Sequence, residues 1–527
     1  MFEAPSTHED AVDRFIARFA DKITGTLSGF DRLVFRGHLR RIIYPAGMTL
    51  FLNVCRVLFK DFRRFTLQTT DRLQQVSFES VKQQGRPVRY LESSKADKEA
   101  IARQIAQTDG ITKGLVALLT CVEPCTTFGL RSNAKTSRLE ICSRLGKCLH
   151  LYYYLIDPVL GFINARIQTW FPFNVQICIN GREWLAHQMD KAGLTYERRD
   201  NCFARIDDLE QAQQLMDQQL RANWPTLLDR IAQMLNPLHE QLFADFPTSY
   251  YWSVYQSEWA TDLMFKSATA LHEIYPELVR HAITHFGSGD VMRFLGGKVH
   301  GAFKGEIISE FKERPEGVRV KHWLEKNSLK LYDKQGCVLR QETTINDPDG
   351  FKVFRPKEGE PEEQKQWRPL RKGIADLHRR AQVSQAANER YLDALAAVEI
   401  STPLEKLLHP VCRAKTHDGQ RVRGLRPWAQ EDVALFRAIS RGEFCLNGLR
   451  NRDLQPLLFT TPAHSAAERR RRSAQVSYRL RLLREHGVLH KIPKTHRYRV
   501  SPAGRELLAA VLCAHQASVE KLARLAA

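Results

Sequence analysis

The chain reads as a multidomain α+β protein, and three observations carry that reading. Its 527 residues, 43% of them hydrophobic, can fill several packed cores and exceed one ordinary domain. Apolar periodicity changes from helical to strand-like and back more than once before residue 355. A polar stretch, KEGEPEEQKQWRP, nearly free of apolar side chains, then separates this mixed core from a compact C-terminal segment.

Taken in order, Val12, Phe15, Ile16, Phe19 and Ile23 fit one apolar helical face over 8–25. SGFDRLVFRG follows as a glycine-bounded strand, and helical patterns return at 45–60 and 96–108. GFINARIQTWFPFNVQICING (161–181) holds two runs of β-branched and aromatic residues around Phe171-Pro172-Phe173, where proline suits a turn or sheet edge. REWLAHQMDKAG predicts a helix that stops at Gly193, LTYERR and CFARI predict strands, and DDLEQAQQLMDQQL opens with acids suited to a helix N-terminus. This order predicts a ferredoxin-like α+β subdomain with helical insertions around it. Residues 207–286 read as mostly helical, interrupted by Pro225, Pro237 and Pro247. Short strands return after GSGDVMRFLGGK, through NSLKLYDKQGCVLRQETTIN (327–346) and FKVFRP, and a helix is expected at about 370–396. The divisions are 1–150, mixed α/β; 151–240, ferredoxin-like; 241–355, helical with a β-hairpin; 356–425, a charged linker with one helix; and 426–527.

Charge limits the partners. Lys and Arg number 79 against 59 acids, a net charge of +20, so polyanions come first and DNA is the expected ligand, with RNA as the alternative. Eleven cysteines without a signal peptide at MFEAPSTHEDAVDRF predict free thiols and a cytoplasmic location. No run approaches the roughly 18 apolar residues that span a bilayer, so no membrane partner is expected.

In 426–527, AQEDVALFRAIS and NGLRNRDLQPLL predict two helices. A third starts at a Ser465 cap, stacks Val476, Leu480 and Leu483 on its core face, and ends at Gly487. VLHKI can pair with RYRVS, and PAGRELLAAVL starts a closing helix with proline at an early position. Three helices, a hairpin and a closing helix resemble the winged helix-turn-helix family. The resemblance implies that the third helix enters the DNA major groove while the hairpin reaches backbone or minor groove. Arg469, Arg470, Arg471 and Arg472 would then contact phosphates, and Gln475, Ser477 and Arg479 base edges. Lys491, Lys494, Arg497 and Arg499 populate the hairpin. The alternative is a protein-binding domain whose charge run is merely solvated.

The segment 327–346 is the candidate for chemistry. With Lys334, Gln335 and Gly336 as a three-residue loop, Lys330 faces Arg340, and Lys330, Tyr332, Arg340 and Glu342 share one face. A two-residue loop would separate them. The order YDK, turn, LRQE is similar to a segment of plasmid and phage rolling-circle replication initiators. That resemblance implies a divalent metal, Mg²⁺ or Mn²⁺, with Glu342 as ligand and Asp207, in ARIDD, as the second. Lys330, Lys334 and Arg340 would handle phosphate charge, and Tyr332 would make the covalent DNA link. The alternative is a sheet hairpin with a surface ion pair.

Three weaker groupings remain. Cys121, Cys125, Cys142, Cys148 and His150 could surround zinc, but their spacing favours buried thiols. Asp31 could join an acidic site or simply pair with Arg32 or Arg36. The aromatics of YYYLIDP and QTWFPF could stack on bases, and fit an apolar core more simply. The expected function is therefore a nucleic-acid-binding protein of a mobile element or plasmid, with a metal-dependent nickase, nuclease or replication-initiator core. A non-enzymatic transcriptional regulator or RNA-binding nucleoprotein component is the alternative.

Overall fold

The structure, a computed structural model, describes residues 10–134, 137–296, 307–314, 317–357, 366–396, 404–417, 420–441, 444, 448–459, 461–493 and 495–516. In chain order the strands of the core are β1 (Ile23–Leu39), β2 (Val88–Tyr90), β3 (Gly114–Asn133), β4 (Arg138–Asp157), β5 (Gly161–Gln168), β6 (Val175–Asn180) and β7 (Tyr196–Arg199). They continue with β8 (Cys202–Ile206), β9 (Tyr250–Phe265), β10 (Ile307–Arg314), β11 (Gly317–Leu324), β12 (Asn327–Lys334) and β13 (Val338–Ile345). The chain packs into two compact units, each built from separated stretches: Ile23–Lys266 with Cys337–Asn388, and Met1–Lys22 with Ser267–Gly336 and Glu389–Ala527.

The first unit is organised by one sheet whose strands follow the order β13-β9-β1-β6-β5-β4-β3-β2. Every described pairing in it is antiparallel except β2 with β3. Alternation assigns the two faces. Leu33, Phe35, Ile177, Ile179, Ile163, Ala165 and Ile167 point to one side, where they join Trp184, Leu185, Met189 and Trp224 in the main core. Gln176, Cys178, Asn164 and Arg166, on the other side of the same strands, are half-buried and mostly polar. Helix Gly181–Ala192 is capped by Asn180, whose side chain accepts from the Arg182 and Glu183 N–H groups, and it ends at Gly193 with φ 71°.

This sheet departs from the ferredoxin-like expectation. β5 and β6 lie in its middle, flanked by β4 and β1, while β7 and β8 pair only with each other in a separate two-stranded sheet. The reason is pairing capacity: both edges of the β5–β6 hairpin are taken by longer strands, so β7 and β8 find no edge there. β9 is a second departure, because 250–265 reads as helical in the sequence. Trp252 and Val254 are buried while Tyr251 and Tyr255 are exposed, and this period of two belongs to a strand.

In the other unit, β10, β11 and β12 form an antiparallel meander. His322 lies fully buried there, its ring nitrogens meeting the Ser309 hydroxyl at 2.8 Å and the Tyr391 hydroxyl at 3.0 Å. Burial alone lowers its pKa to about 4. The C-terminal part holds helices Gln430–Ile439, Asn451–Leu458 and Ala466–Glu485, a hairpin of Leu489–Lys491 with Tyr498–Val500, and helix Pro502–Gln516. Val476, Leu480 and Leu483 are buried in its core, and the Ser465 hydroxyl accepts from the Glu468 N–H at 3.1 Å. Among the described residues no helix is long and apolar enough to cross a membrane.

Candidate metal and nucleic-acid sites

Three neighbouring strands bring three carboxylates together. Asp31 (β1), Glu258 (β9) and Glu342 (β13) each offer an oxygen, and these oxygens lie within 4.8 Å of one another. Register explains two of them. Glu258 stands opposite Thr344 and Glu342 opposite Ala260, so the two glutamates are diagonal neighbours on one sheet face. Asp31 arrives by a β-bulge: Phe30 pairs with Trp259 and Arg32 with Glu258, leaving Asp31 as the extra residue.

The cluster is buried, with Asp31 5%, Glu258 8% and Glu342 2% exposed, so its charge needs compensation. Arg340 supplies much of it. Its guanidinium donates to both Asp262 oxygens at 2.6 and 2.8 Å, to Asp31 Oδ1 at 3.0 Å and to the Asn201 carbonyl at 2.8 Å. Arg182, fully buried at the start of its helix, donates to Asp262 Oδ2 at 2.9 Å and lies 3.9 Å from Asp31 Oδ1. Burial alone would raise the Asp262 pKa; the two guanidiniums outweigh it and hold the carboxyl below its ordinary value.

At the rim, Arg32 lies 3.8 Å from Glu258. Burial would weaken that guanidinium's hold on its proton, but Glu258, Cys178, Asp31 and Glu342 prevail and its pKa rises. Asn201 donates to Asp31 Oδ1 at 3.0 Å, Gln256 to Glu258 Oε1 at 2.8 Å, and the Thr344 hydroxyl to Glu342 Oε1 at 3.3 Å. Both hydrogen bonds to Asp31 fall on Oδ1. An all-oxygen set from three carboxylates suits a hard divalent cation, and the triad can bind a metal ion.

The residues expected from the sequence separate into groups. Glu342 is in the triad and Arg340 lies beneath it, committed to Asp262 and Asp31, so it serves as a brace for carboxylates and not as a hand for phosphate. Asp207 stands outside the triad: its side chain is 43% exposed and paired with Arg205 at 2.9 Å. Asp31 and Glu258 occupy the places beside Glu342. Lys330 and Tyr332 alternate along β12 in the other unit and are half-buried, with Lys330 opposite Lys321. The turn also differs: β12 ends at Lys334 and β13 begins at Val338, so the loop is Gln335–Cys337. Gln335 and Gly336 both have positive φ, 59° and 74°, and the Gly336 N–H donates to Asp333 Oδ1 at 2.9 Å, which moves the bend one residue along.

The thiols and His150 form no triad of ligand atoms within 4.8 Å among the described residues. Cys121, Cys125 and Cys148 are buried free thiols. His150 is buried beside Arg166, and its pKa falls to about 4, chiefly through burial.

On helix Ala466–Glu485, Arg469, Arg470, Arg471 and Gln475 are exposed. Arg472 is half-buried and paired with Glu468, and Arg479 approaches Glu431 at 4.0 Å. The Ser477 hydroxyl accepts from Asn451 at 2.8 Å. Lys491 is exposed, Arg497 donates to the Gly448 carbonyl at 3.4 Å, and Arg499 is half-buried; Lys494 lies outside the described residues. Comparison with protein-family models, with curated proteins and with solved structures gave no match.

Proposed function

We propose that this is a nucleic-acid-binding protein of a mobile element or plasmid, recognising DNA through a C-terminal winged helix and nicking or otherwise processing it with a divalent metal. The observation that carries the reading is the meeting of three carboxylates from three adjacent strands in a protein of net charge +20. Mg²⁺ or Mn²⁺ held by Asp31, Glu258 and Glu342 would supply Lewis-acid polarisation of a scissile phosphate. The chain's own contribution is orientation. Arg340 and Asn201 fix Asp31, Gln256 fixes Glu258, and half-exposed Arg32 offers a cation at the rim. Water is the nucleophile the triad's own unit calls for; Tyr332, with Lys330 on the same strand of the other unit, is a separate candidate for a covalent DNA link.

The test is incubation of the full chain with supercoiled and single-stranded DNA, with and without Mg²⁺ or Mn²⁺. Metal-dependent product is expected, falling by roughly 100-fold or more in Glu342→Gln and Glu258→Gln. Metal should also raise the melting temperature of the parent protein and not of Glu342→Gln, because a ligand that binds only the native state stabilises it. Undiminished cleavage by Glu342→Gln rejects the site. A covalent adduct lost in Tyr332→Phe assigns the nucleophile.

A second reading has its own support. The guanidiniums of Arg182, Arg340 and Arg32 nearly balance the carboxylates of Asp31, Glu258, Asp262 and Glu342, as an internal scaffold would. That reading makes the protein a non-enzymatic regulator or an RNA-binding nucleoprotein component. It predicts no cleavage in any metal and no thermal shift on adding one.

A further inference from the structure

The sheet face that carries the triad continues beyond it along β1. Arg32 and Arg36 in the strand, and Arg40 just past its end, recur every four residues. Even positions of an extended chain share a face, so the three cations line about 26 Å. Leu33, Phe35 and Leu39, the odd positions, are buried on the opposite side. Next to this row, β9 presents Tyr255 and Tyr251, which are 43% and 50% exposed. The Arg36 guanidinium lies over the Tyr255 ring at 3.3 Å and that of Arg40 over Tyr251 at 5.7 Å. Cations interleaved with exposed aromatic rings form the surface on which unpaired bases stack while their phosphates are neutralised.

A cleft of about 370 Å³ opens beside this row, lined among others by Arg36, His38, His150, Arg166, Asn174 and Gln176. Arg36, Gln176 and Arg166 stand in one cross-strand row. Arg166 is satisfied, donating to Glu123 at 2.9 Å and to Gln176 at 3.0 Å. Arg36 has no carboxylate partner among the described residues. Burial disfavours its protonated form, and so does the like charge of Arg166, against the opposing pull of Tyr255; an anion at this spot would offset the uncompensated charge.

We infer that this face is a track for a single strand of nucleic acid, with phosphates on Arg36 and Arg40, bases stacked on Tyr255 and Tyr251, and one nucleotide seated in the cleft. The inference rests on the reading of the triad as a nucleic-acid site and names its substrate: an unpaired strand that passes Arg32 and reaches the carboxylates. Duplex DNA fits this surface poorly, because paired bases offer no free face to the tyrosines.

The test is binding by the full chain in EDTA, which removes metal chemistry from the measurement. Labelled single-stranded DNA and RNA oligonucleotides of one sequence, and the DNA duplex, are titrated by fluorescence anisotropy at several salt concentrations. Arg36→Ala should weaken binding of the single strand about tenfold and reduce the slope of log affinity against log salt by about 0.7, the share of one neutralised single-strand phosphate. Tyr251→Ala/Tyr255→Ala should weaken it similarly without changing the slope. Binding of either sugar supports the track, and the stronger of the two identifies the natural strand.

Circular dichroism checks that each variant is folded, and photo-crosslinking of a thiothymidine-containing oligonucleotide to the unaltered protein needs no variant. Adducts are expected in peptides containing 124–128 or 251–255. Unchanged single-strand affinity and salt slope in folded Arg36→Ala, or adducts confined to 466–500, overturn the inference. The two readings fail separately. Cleavage by a protein whose strand binding ignores Arg36 keeps the triad and removes the track; strand binding through Arg36 with no metal response removes the triad as a catalytic site.

Discussion

The carboxylate triad and the arginine run of helix Ala466–Glu485 hold their charge in opposite ways. Asp31, Glu258 and Glu342 are buried and come from distant parts of the chain, and Asp31 shares the fully buried Arg340 guanidinium with Asp262. Arg469, Arg470 and Arg471 are consecutive and exposed. A buried charge must be compensated inside the fold, so it is coupled to stability; an exposed one is compensated by water and salt and can act on a ligand at little cost to the fold. Changes at the two regions should therefore register in different experiments.

The largest effect is expected beneath the triad. Asp262→Ala leaves Arg182 and Arg340 buried without their shared carboxylate, and should cost about 3–5 kcal/mol of unfolding free energy in urea titrations. A loss below about 1 kcal/mol would place these charges with the exposed ones and break the comparison.

The next effect is a pH dependence on the polar face. His150 has a native pKa of about 4, lowered chiefly by burial and further by Arg166, against about 6.5 in an unfolded chain. Between these values the unfolded chain binds the extra proton. The stability contribution is thus whole above pH 6.5 and is lost as pH falls towards 4, by about 3 kcal/mol across the window. Replacing His150 by Asn should flatten unfolding free energy against pH in that interval, and an unchanged profile would place the imidazole in water.

Arg469→Ala/Arg470→Ala/Arg471→Ala should leave the melting temperature nearly unmoved while reducing the salt slope of duplex binding by about 0.9 for each phosphate that is no longer neutralised. A large thermal shift with an unchanged slope would make this run structural. The smallest effect sharpens the same region: Ser465→Ala removes the helix cap and should cost about 1 kcal/mol in chemical denaturation.

Much of the C-terminal part is legible in the sequence because its signals are local. The Ser465 cap, the Val476, Leu480 and Leu483 stripe, and Gly487 with φ 72° all act within a few residues. Gly193 and the strand through SGFDRLVFRG are legible for the same reason. The triad is different. Glu342 can be singled out from its own strand, but the identity of its neighbours depends on β13 pairing with β9 and β9 with β1, pairings that span long stretches of chain. Asp207 follows an acidic strand pattern yet sits on β8's exit, at a hairpin that joins no large sheet. Glu258 leaves one usable trace: an acid within WSVYQSEWATDLMF, whose first residues alternate buried Trp252 and Val254 with exposed Tyr255, while residues 257–265 are buried throughout, so periodicity alone does not mark its position.

Asp31 also sets the phase of its strand. Before it, odd residues such as Leu27 and Gly29 stand opposite Asp262 and Ala260 and share the triad's face; after it, even residues do, beginning with Arg32 opposite Glu258. The extra residue thus works like a frameshift written in the backbone. Delete it, and the pairing that follows must either slip or turn Arg32, Arg36 and Arg40 into the core while Leu33, Phe35 and Leu39 face water. One inserted position thus both adds a carboxylate to the triad and lets the downstream half of the strand show its arginines to solvent.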